Sequence, residues 1–395
     1  MKKFLNLGKQ PLANKYLSKK ELLSKKKEQF YRLQIGFDIK TKLVSIINTV
    51  SSKKMFDNKY PYRSSMSSTM RESFKKLSVF LKKKFKPDLI LEIGSNDGSL
   101  IKYFKKNKAL CVEPCKNLAK ITKKKGFKTY SEYWTMSLAK KIESKHNKID
   151  LIYSANTLSH IPNLDSVFKS ISYVLSENGV LIIEDPSLME CLKKTAYDQF
   201  YNEHIYVFSL ISIMNLMKKY NLEVFDVKKL KTHGGSMRYF IKRKSNKNLG
   251  INKRVKKYLN EELKFKIDKF ETYIKFRKRV EASKKKLINI FQNLKKRNKK
   301  IIGYGSTAKS VTVLNYCKIN NKIVDYFVDT TPDKTNKYMP GTHIYIKKYQ
   351  KNLLNNIDFI FLGAWNFKKE IFKKEKKFIK KGGRFISHIP KPNII

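Results

Sequence analysis

The chain has 395 residues, 41% of them apolar and 25 of them phenylalanine, which is too much for one core and enough for two or three. No run of about 18 apolar residues occurs, and the opening MKKFLNLGKQ has only a two-residue apolar stretch after its lysines. Neither a membrane-spanning helix nor a secretory leader is expected, and four scattered cysteines without a CxxC fit a reduced cytoplasmic setting. The formal net charge of +55 first suggests nucleic acid, yet 77 of the 87 basic residues are lysines spread through every segment. Phosphate and base recognition favours the planar arginine fork, so the charge reads as solvated surface and no specific nucleic-acid partner is expected.

The first 85 or so residues show no clear period and include a Ser-rich aromatic stretch, KYPYRSSMSSTM, from Lys59 to Met70. From Leu89 the pattern sharpens. LILEI is a short buried strand, GSNDGS a glycine loop, and LIKYFKK the expected start of a helix; ALCVE (109–113) is the next strand, followed by a helix to Lys125. A strand over 149–155, an amphipathic helix over 164–175 and a strand over 180–184 continue the alternation. That alternation predicts an α/β fold with a parallel, doubly wound sheet. Between Asn252 and Lys299 there is no Pro or Gly, and apolar residues recur three or four apart from Val255 to Leu294, the spacing of a helical linker. A second strand and glycine-loop unit opens at KIIGYGSTAKS and returns through KIVDYFVD, IDFIFL and GRFISHI, predicting a second α/β domain.

Three clusters carry chemistry. LEIGSNDGS places Gly94, Ser95, Asn96, Asp97 and Gly98 between a strand and the segment after it, where backbone N–H groups approach a ligand. Its spacing lacks the three-glycine dinucleotide signature, and Glu92 and Asp97 beside it suit a cationic ligand and repel a pyrophosphate. Glu113 ends the next strand, a place from which a carboxylate accepts hydrogen bonds from a ribose diol. This combination resembles a class I S-adenosylmethionine (AdoMet) methyltransferase, whose methyl donor is a sulfonium. The second cluster is YNEH, Tyr201 to His204, with THGGSMR following from Thr232 to Arg238; histidine is the side chain that exchanges protons near neutrality. The third is His160, just past a strand's carboxyl end, where α/β sheets place ligands.

With these residues in hand the chain resembles the nucleotide-sugar C-methyltransferases, which methylate a carbon of a 4-keto-deoxysugar nucleotide. LGKQPLANKYL, YPYRSSMSS, LEIGSNDGS, NTLSHIPNL, FYNEHIYVFSL, HGGSMRYFI, GYGSTAKSVTVLNYC, DTTPDKTNKYMPGTHI and GAWNFKKEI match family segments in order. The resemblance implies a small N-terminal lobe (1–75), an AdoMet-dependent methyltransferase domain of the class I doubly wound type (76–250), a helical linker (251–299) and a C-terminal Rossmann-like domain for the nucleotide sugar (300–395). It implies that His204 removes the proton beside the ketone, that Glu203 and Tyr201 position it and the ketone, and that His160 with Tyr60 or Tyr62 hydrogen-bonds the enolate oxygen. The enolate carbon then takes the sulfonium methyl. Glu92, the glycine loop, Glu113 and Asn156 are implied to hold AdoMet. His233, Gly234, Arg238, Gly303, Tyr304, Gly305, Lys309 and Asn366 are implied to hold the sugar nucleotide.

Two departures stand out. Family members usually begin with a zinc lobe of four cysteines; here Asp38-Ile39-Lys40-Thr41 stands where a second CxxC would be, and no cysteine occurs before Cys111. No zinc is therefore expected. Asn202 replaces a usual second histidine, while His204 is kept. Alternatives are sugar O-methylation on the same fold, for which His204 would also serve, or an RNA-directed methyltransferase, although SANTLSHIP supplies neither a DPPY-like tetrapeptide nor a cysteine.

Overall fold

Short apolar runs bounded by glycine loops become buried parallel strands because both faces of such a strand are covered. In the computed structural model, which describes residues 1–24 and 27–395, Ile90–Ile93, Ala109–Val112, Lys128–Tyr130, Ile149–Ala155 and Leu175–Pro186 are those strands of the central sheet. Its order runs Leu222–Leu230, Ser236–Arg243, Leu175–Pro186, Ile149–Ala155, Ile90–Ile93, Ala109–Val112, Lys128–Tyr130. Strand Ser236–Arg243 is inserted antiparallel between its two neighbours. The strand order reverses around Ile90–Ile93, so ligands are expected at the carboxyl ends beside it.

LIKYFKK does not start an α-helix. The loop uses residues 94–99, and the stretch left before Ala109 is too short for a helix and its return. It folds instead as two 3-10 turns, Ile101–Tyr103 and Lys106–Lys108, neither with a side-chain cap.

The second sheet, in the order Lys337–Tyr338, Tyr345–Lys348, Phe327–Asp329, Ile301–Tyr304, Phe359–Leu362, Arg384–Ser387, Asn393–Ile394, has five parallel central strands and antiparallel edges. The amino-terminal lobe is an antiparallel sheet of Lys2–Pro11, Phe30–Phe37 and Val44–Ile46. Its fourth strand, Tyr206–Val207, is supplied by the chain just past YNEH. Asp38 closes the adjacent loop by accepting hydrogen bonds from the Thr41 N–H and hydroxyl. Among the described residues no cluster of three or more His, Cys, Asp or Glu could hold a metal, and no helix is long and apolar enough to cross a membrane.

The segment between the two sheets forms two helices, Lys253–Lys264 and Phe270–Lys296. The second is no solvent spacer. Tyr273 stacks on Phe37 with ring centroids 4.4 Å apart and lies 4.9 Å from Phe4, while Phe291 packs against Phe361 of the second sheet. One apolar core thus runs from the amino-terminal lobe through this helix into the C-terminal domain.

Candidate active site

The carboxyl ends of both parallel sheets open into one cavity of about 620 Å³, whose wall is completed by Phe56 and by Tyr60 to Ser67 of the aromatic stretch. One half is acidic. Glu92, Gly94, Ser95, Asn96, Glu113 and Asn156 line it, and burial, reinforced by Asp97 and Glu113, raises the Glu92 carboxyl well above its ordinary range. Glu92 Oε2 is buried without a hydrogen-bond partner. Glu113 accepts the Asn96 N–H at 2.8 Å and the Cys115 N–H at 2.9 Å, leaving each oxygen a second lone pair. Gly94 has φ +75°, and a Cβ there would meet Thr157 Oγ1 at 2.1 Å, so only glycine brings the loop this close.

At the centre, rings stack in a column: Phe56 to His160 at 5.6 Å, His160 to His204 at 5.1 Å, and His204 to Tyr201 at 4.0 Å. His204 Nδ1 donates to the Gln199 carbonyl at 2.8 Å, which leaves Nε2 as the acceptor for the Tyr201 hydroxyl at 2.5 Å. Burial first, then the neighbouring His160 and Lys309, hold the His204 imidazole well below its usual pKa. It is a neutral ring with a bound lone pair. Burial alone takes His160 down to about 3, and its Nε2 has no partner. His233, also pushed to about 3 chiefly by burial, lies 3.4 Å through Nε2 from the Asn156 amide.

The other half is formed by Tyr304, Gly305, Lys309, Asn366, Lys334 and Thr330 among others. Lys309 is buried, donates to the His233 carbonyl at 2.9 Å, and is lowered to about 8 by desolvation. Lys334 donates to the Ser306 carbonyl at 2.8 Å.

Several residues of the sequence reading lie elsewhere. Glu203 is near His204 in sequence only: its carboxylate takes the Tyr60 hydroxyl at 2.7 Å and the Asn14 amide at 2.8 and 2.9 Å, so it fixes the cavity wall rather than the imidazole. Asp97 turns inward to the Ser99 hydroxyl and the Ser65 N–H, and with Gly98 it shapes the loop without lining the cavity. Arg238 sits directly across the ladder from Glu184 and pairs with it, both side chains at most 5% exposed, so its guanidinium is committed inside the sheet. Gly303 and Gly234 do not face a ligand: a Cβ would strike Phe327 at 2.2 Å in the first and Trp365 at 2.2 Å in the second. Both are close-packing glycines. At the GYGSTAK loop Asp329 accepts the Ser306 N–H and the Thr331 N–H two residues on, each at 2.8 Å, as Glu113 does at the first loop, and it too lines the cavity. Phe56 and Gln199 lie outside every segment that matches the family, and Asn14 and Lys334 lie inside two of them without a residue type or spacing that points to a role, so the sequence does not single out any of the four.

Comparison with known proteins adds two family models, a methyltransferase domain over residues 62–227 and a C-methyltransferase C-terminal domain over 231–390. The C-methyltransferase NovU of Streptomyces niveus is 30% identical over 310 residues, covering 78% of this chain and 74% of that protein. Among solved structures, an S-adenosylmethionine-dependent methyltransferase from Clostridium acetobutylicum is 18% identical over 43% of this chain and 92% of its own, with TM-score 0.33. The magnesium protoporphyrin IX methyltransferase of Synechocystis with bound SAM is 11% identical over 44% and 79%, with TM-score 0.33.

Proposed function

The chain belongs to the C-methyltransferase family, and from that premise we propose that it methylates a carbon of a nucleotide-activated 4-keto-deoxysugar after His204 has taken up the proton next to the ketone. The observation that carries this reading is the neutral His204, tied through Nδ1 to Gln199 and through Nε2 to Tyr201, in a cavity common to both sheets.

AdoMet is the donor, and it supplies an electrophilic methyl group on a sulfonium. The acidic half fits such a cation: Glu92 offers an unpartnered buried oxygen, Glu113 offers lone pairs to a diol, and the cradle at Gly94 has no room for a Cβ. The rest is work for this chain's own side chains. Because Tyr201 caps Nε2, the proton leaves the substrate carbon for the Tyr201 oxygen as the phenolic proton passes to His204 Nε2, which restores the hydroxyl and leaves an imidazolium. Burial disfavours that cation, so the step proceeds only with the enolate's negative charge beside it. Tyr62 and His160, both lining the cavity and the latter with an unpartnered Nε2, are the donors to that oxygen in this reading.

Mass spectrometry of the protein with AdoMet and a panel of 4-keto sugar nucleotides tests the reading. The expected result is one methyl gained on carbon by one member of the panel. A methyl on oxygen would replace the reaction class, and no transfer to any member would overturn the substrate class.

A further inference from the structure

The turn that holds the His204 tautomer is also the place where the C-terminal domain is fastened. Tyr197–Gln199 is a 3-10 turn whose middle residue, Asp198, is fully buried. Its Oδ2 accepts the Trp365 indole N–H at 2.5 Å and the His388 Nε2–H at 3.1 Å. Both donors follow the carboxyl ends of C-terminal strands, Phe359–Leu362 and Arg384–Ser387. Burial pushes this carboxyl up, but His388, Lys309 and the indole outweigh it, and the group stays ionised below its ordinary range.

The neighbouring residue carries the contact onward. Gln199 presents its carbonyl to His204 Nδ1 at 2.8 Å, and its side-chain amide donates to the His233 carbonyl at 2.8 Å. That same carbonyl receives Lys309 of the C-terminal domain at 2.9 Å. Trp365 lies against Gly234 and under the Lys309 ammonium, 5.1 Å from its ring centroid, and precedes cavity-lining Asn366. The C-terminal wall of the cavity is therefore joined to the base by two short routes, both ending on Gln199.

We propose that Asp198 is a positioning residue that couples seating of the C-terminal domain to the Nδ1–H tautomer of His204, so that proton abstraction is competent only when that domain is docked. The proposal rests on the reading of His204 as the base, but its first test does not. Full-length protein with ¹⁵N-labelled histidine, saturated with S-adenosylhomocysteine, should show His204 protonated at Nδ1 with a slowly exchanging proton; the resonance is assigned by its loss in His204→Asn. In Asp198→Asn we expect that proton to exchange at least ten-fold faster and the other tautomer to appear, with a smaller change in the same direction in Trp365→Phe, which removes a single donor and retains the fold if Asp198→Asn does not. An unchanged His204 signal in a folded variant with a lowered melting temperature would overturn the proposal and leave Asp198 a structural residue. The second readout is deuterium uptake from D₂O into whichever 4-keto sugar nucleotide of the panel is methylated. Asp198→Asn should lower kcat for exchange, measured with S-adenosylhomocysteine bound, ten- to hundred-fold, with KM for AdoMet in the methylation reaction unchanged. If His204→Asn exchanges at the wild-type rate, the base assignment fails, while the tautomer measurement still decides the coupling.

Discussion

The two parallel sheets begin with the same local unit, a strand, a glycine loop and the chain that follows it. The acid that ends the next strand faces each loop in the same way, yet the first strand carries an additional carboxyl that the second lacks. At the first loop Glu92 lines the cavity and keeps a buried oxygen without a partner, while Glu113 at the wall accepts from the loop's Asn96 amide and from the Cys115 amide two residues on. At the second, Asp329 likewise accepts from the loop's Ser306 amide and from the Thr331 amide two residues on, and it lines the same cavity, but Gly303 stands where the first strand has Glu92 and packs against the Phe327 ring. The first loop thus has a second buried carboxyl beside it, where the second loop has a packed glycine. The comparison shows that a glycine loop after a strand, with its amide paired to the next strand's acid, identifies a supersecondary unit, whereas the side chain two residues before the loop, Glu92 in one and Gly303 in the other, sets the two apart.

The sharpest way to separate chemistry from either half is at their junction. His204→Asn should retain the fold and AdoMet affinity but lose ~10²–10⁴ in rate, the usual worth of a positioned acid or base. Deuterium exchange beside the ketone should fall with methyl transfer. Since the wild-type imidazole is neutral until pH drops well below 6.5, the acid limb of its kcat/KM profile should lie below that value. A limb at or above pH 6.5, or an exchange rate equal to wild type, would move the base to another residue.

Glu113 and Asp329 are paired alike but lie in different halves of the cavity, and their separate roles can be tested by exchanging amide for carboxylate in each. Glu113→Gln should weaken AdoMet binding by roughly 1.5–3 kcal/mol, the range for hydrogen bonds to a charged group, and titration calorimetry reads that directly. Asp329→Asn should leave AdoMet affinity unaltered and lower the melting temperature, because it weakens contacts that close a loop. Loss of AdoMet affinity in the Asp329 variant would erase the distinction.

Glycines sharpen the same point on the packing side. Gly303→Ala places a methyl 2.2 Å from the Phe327 ring, an overpacking that should cost about 1–3 kcal/mol of stability in denaturant titration. AdoMet binding should be untouched, since the clash lies within the second sheet.

These residues also mark how far the sequence can be read. The strands at Leu89, Ala109, Ile149 and Val180 are legible because each is an apolar run covered on both faces, and the glycine loops because each follows a strand, whereas the helix expected at LIKYFKK fails and Lys128–Tyr130 is too short to carry a period. Contacts across the fold are not. The Glu203 carboxylate is adjacent to His204 in the chain but meets Asn14, a residue 189 positions away. Arg238 looked available until the antiparallel register put Glu184 opposite it. Tyr206–Val207 is a strand only because the amino-terminal sheet needs a fourth member, and two residues carry no period of their own. Gln199 has no chemical signature; its importance comes from a backbone carbonyl that any residue would possess.

The smallest expected effect concerns an exposed tie between the two sides of the cavity. Arg63, in the aromatic wall, pairs with Asp333 beside the second loop at 2.8 Å, and the two side chains are 33% and 30% exposed. Water and salt screen such a pair, so Asp333→Asn should cost no more than about 1 kcal/mol of stability. The penalty should shrink further as ionic strength rises to 1 M, where the screening length is only about 3 Å. A loss that persists at high salt, or one comparable with that of Gly303→Ala, would mean that the wall and the second loop are held together chiefly by this pair. The expected outcome instead leaves that task to buried contacts such as the Tyr16 hydroxyl on the Ser306 carbonyl at 2.7 Å, which salt does not reach.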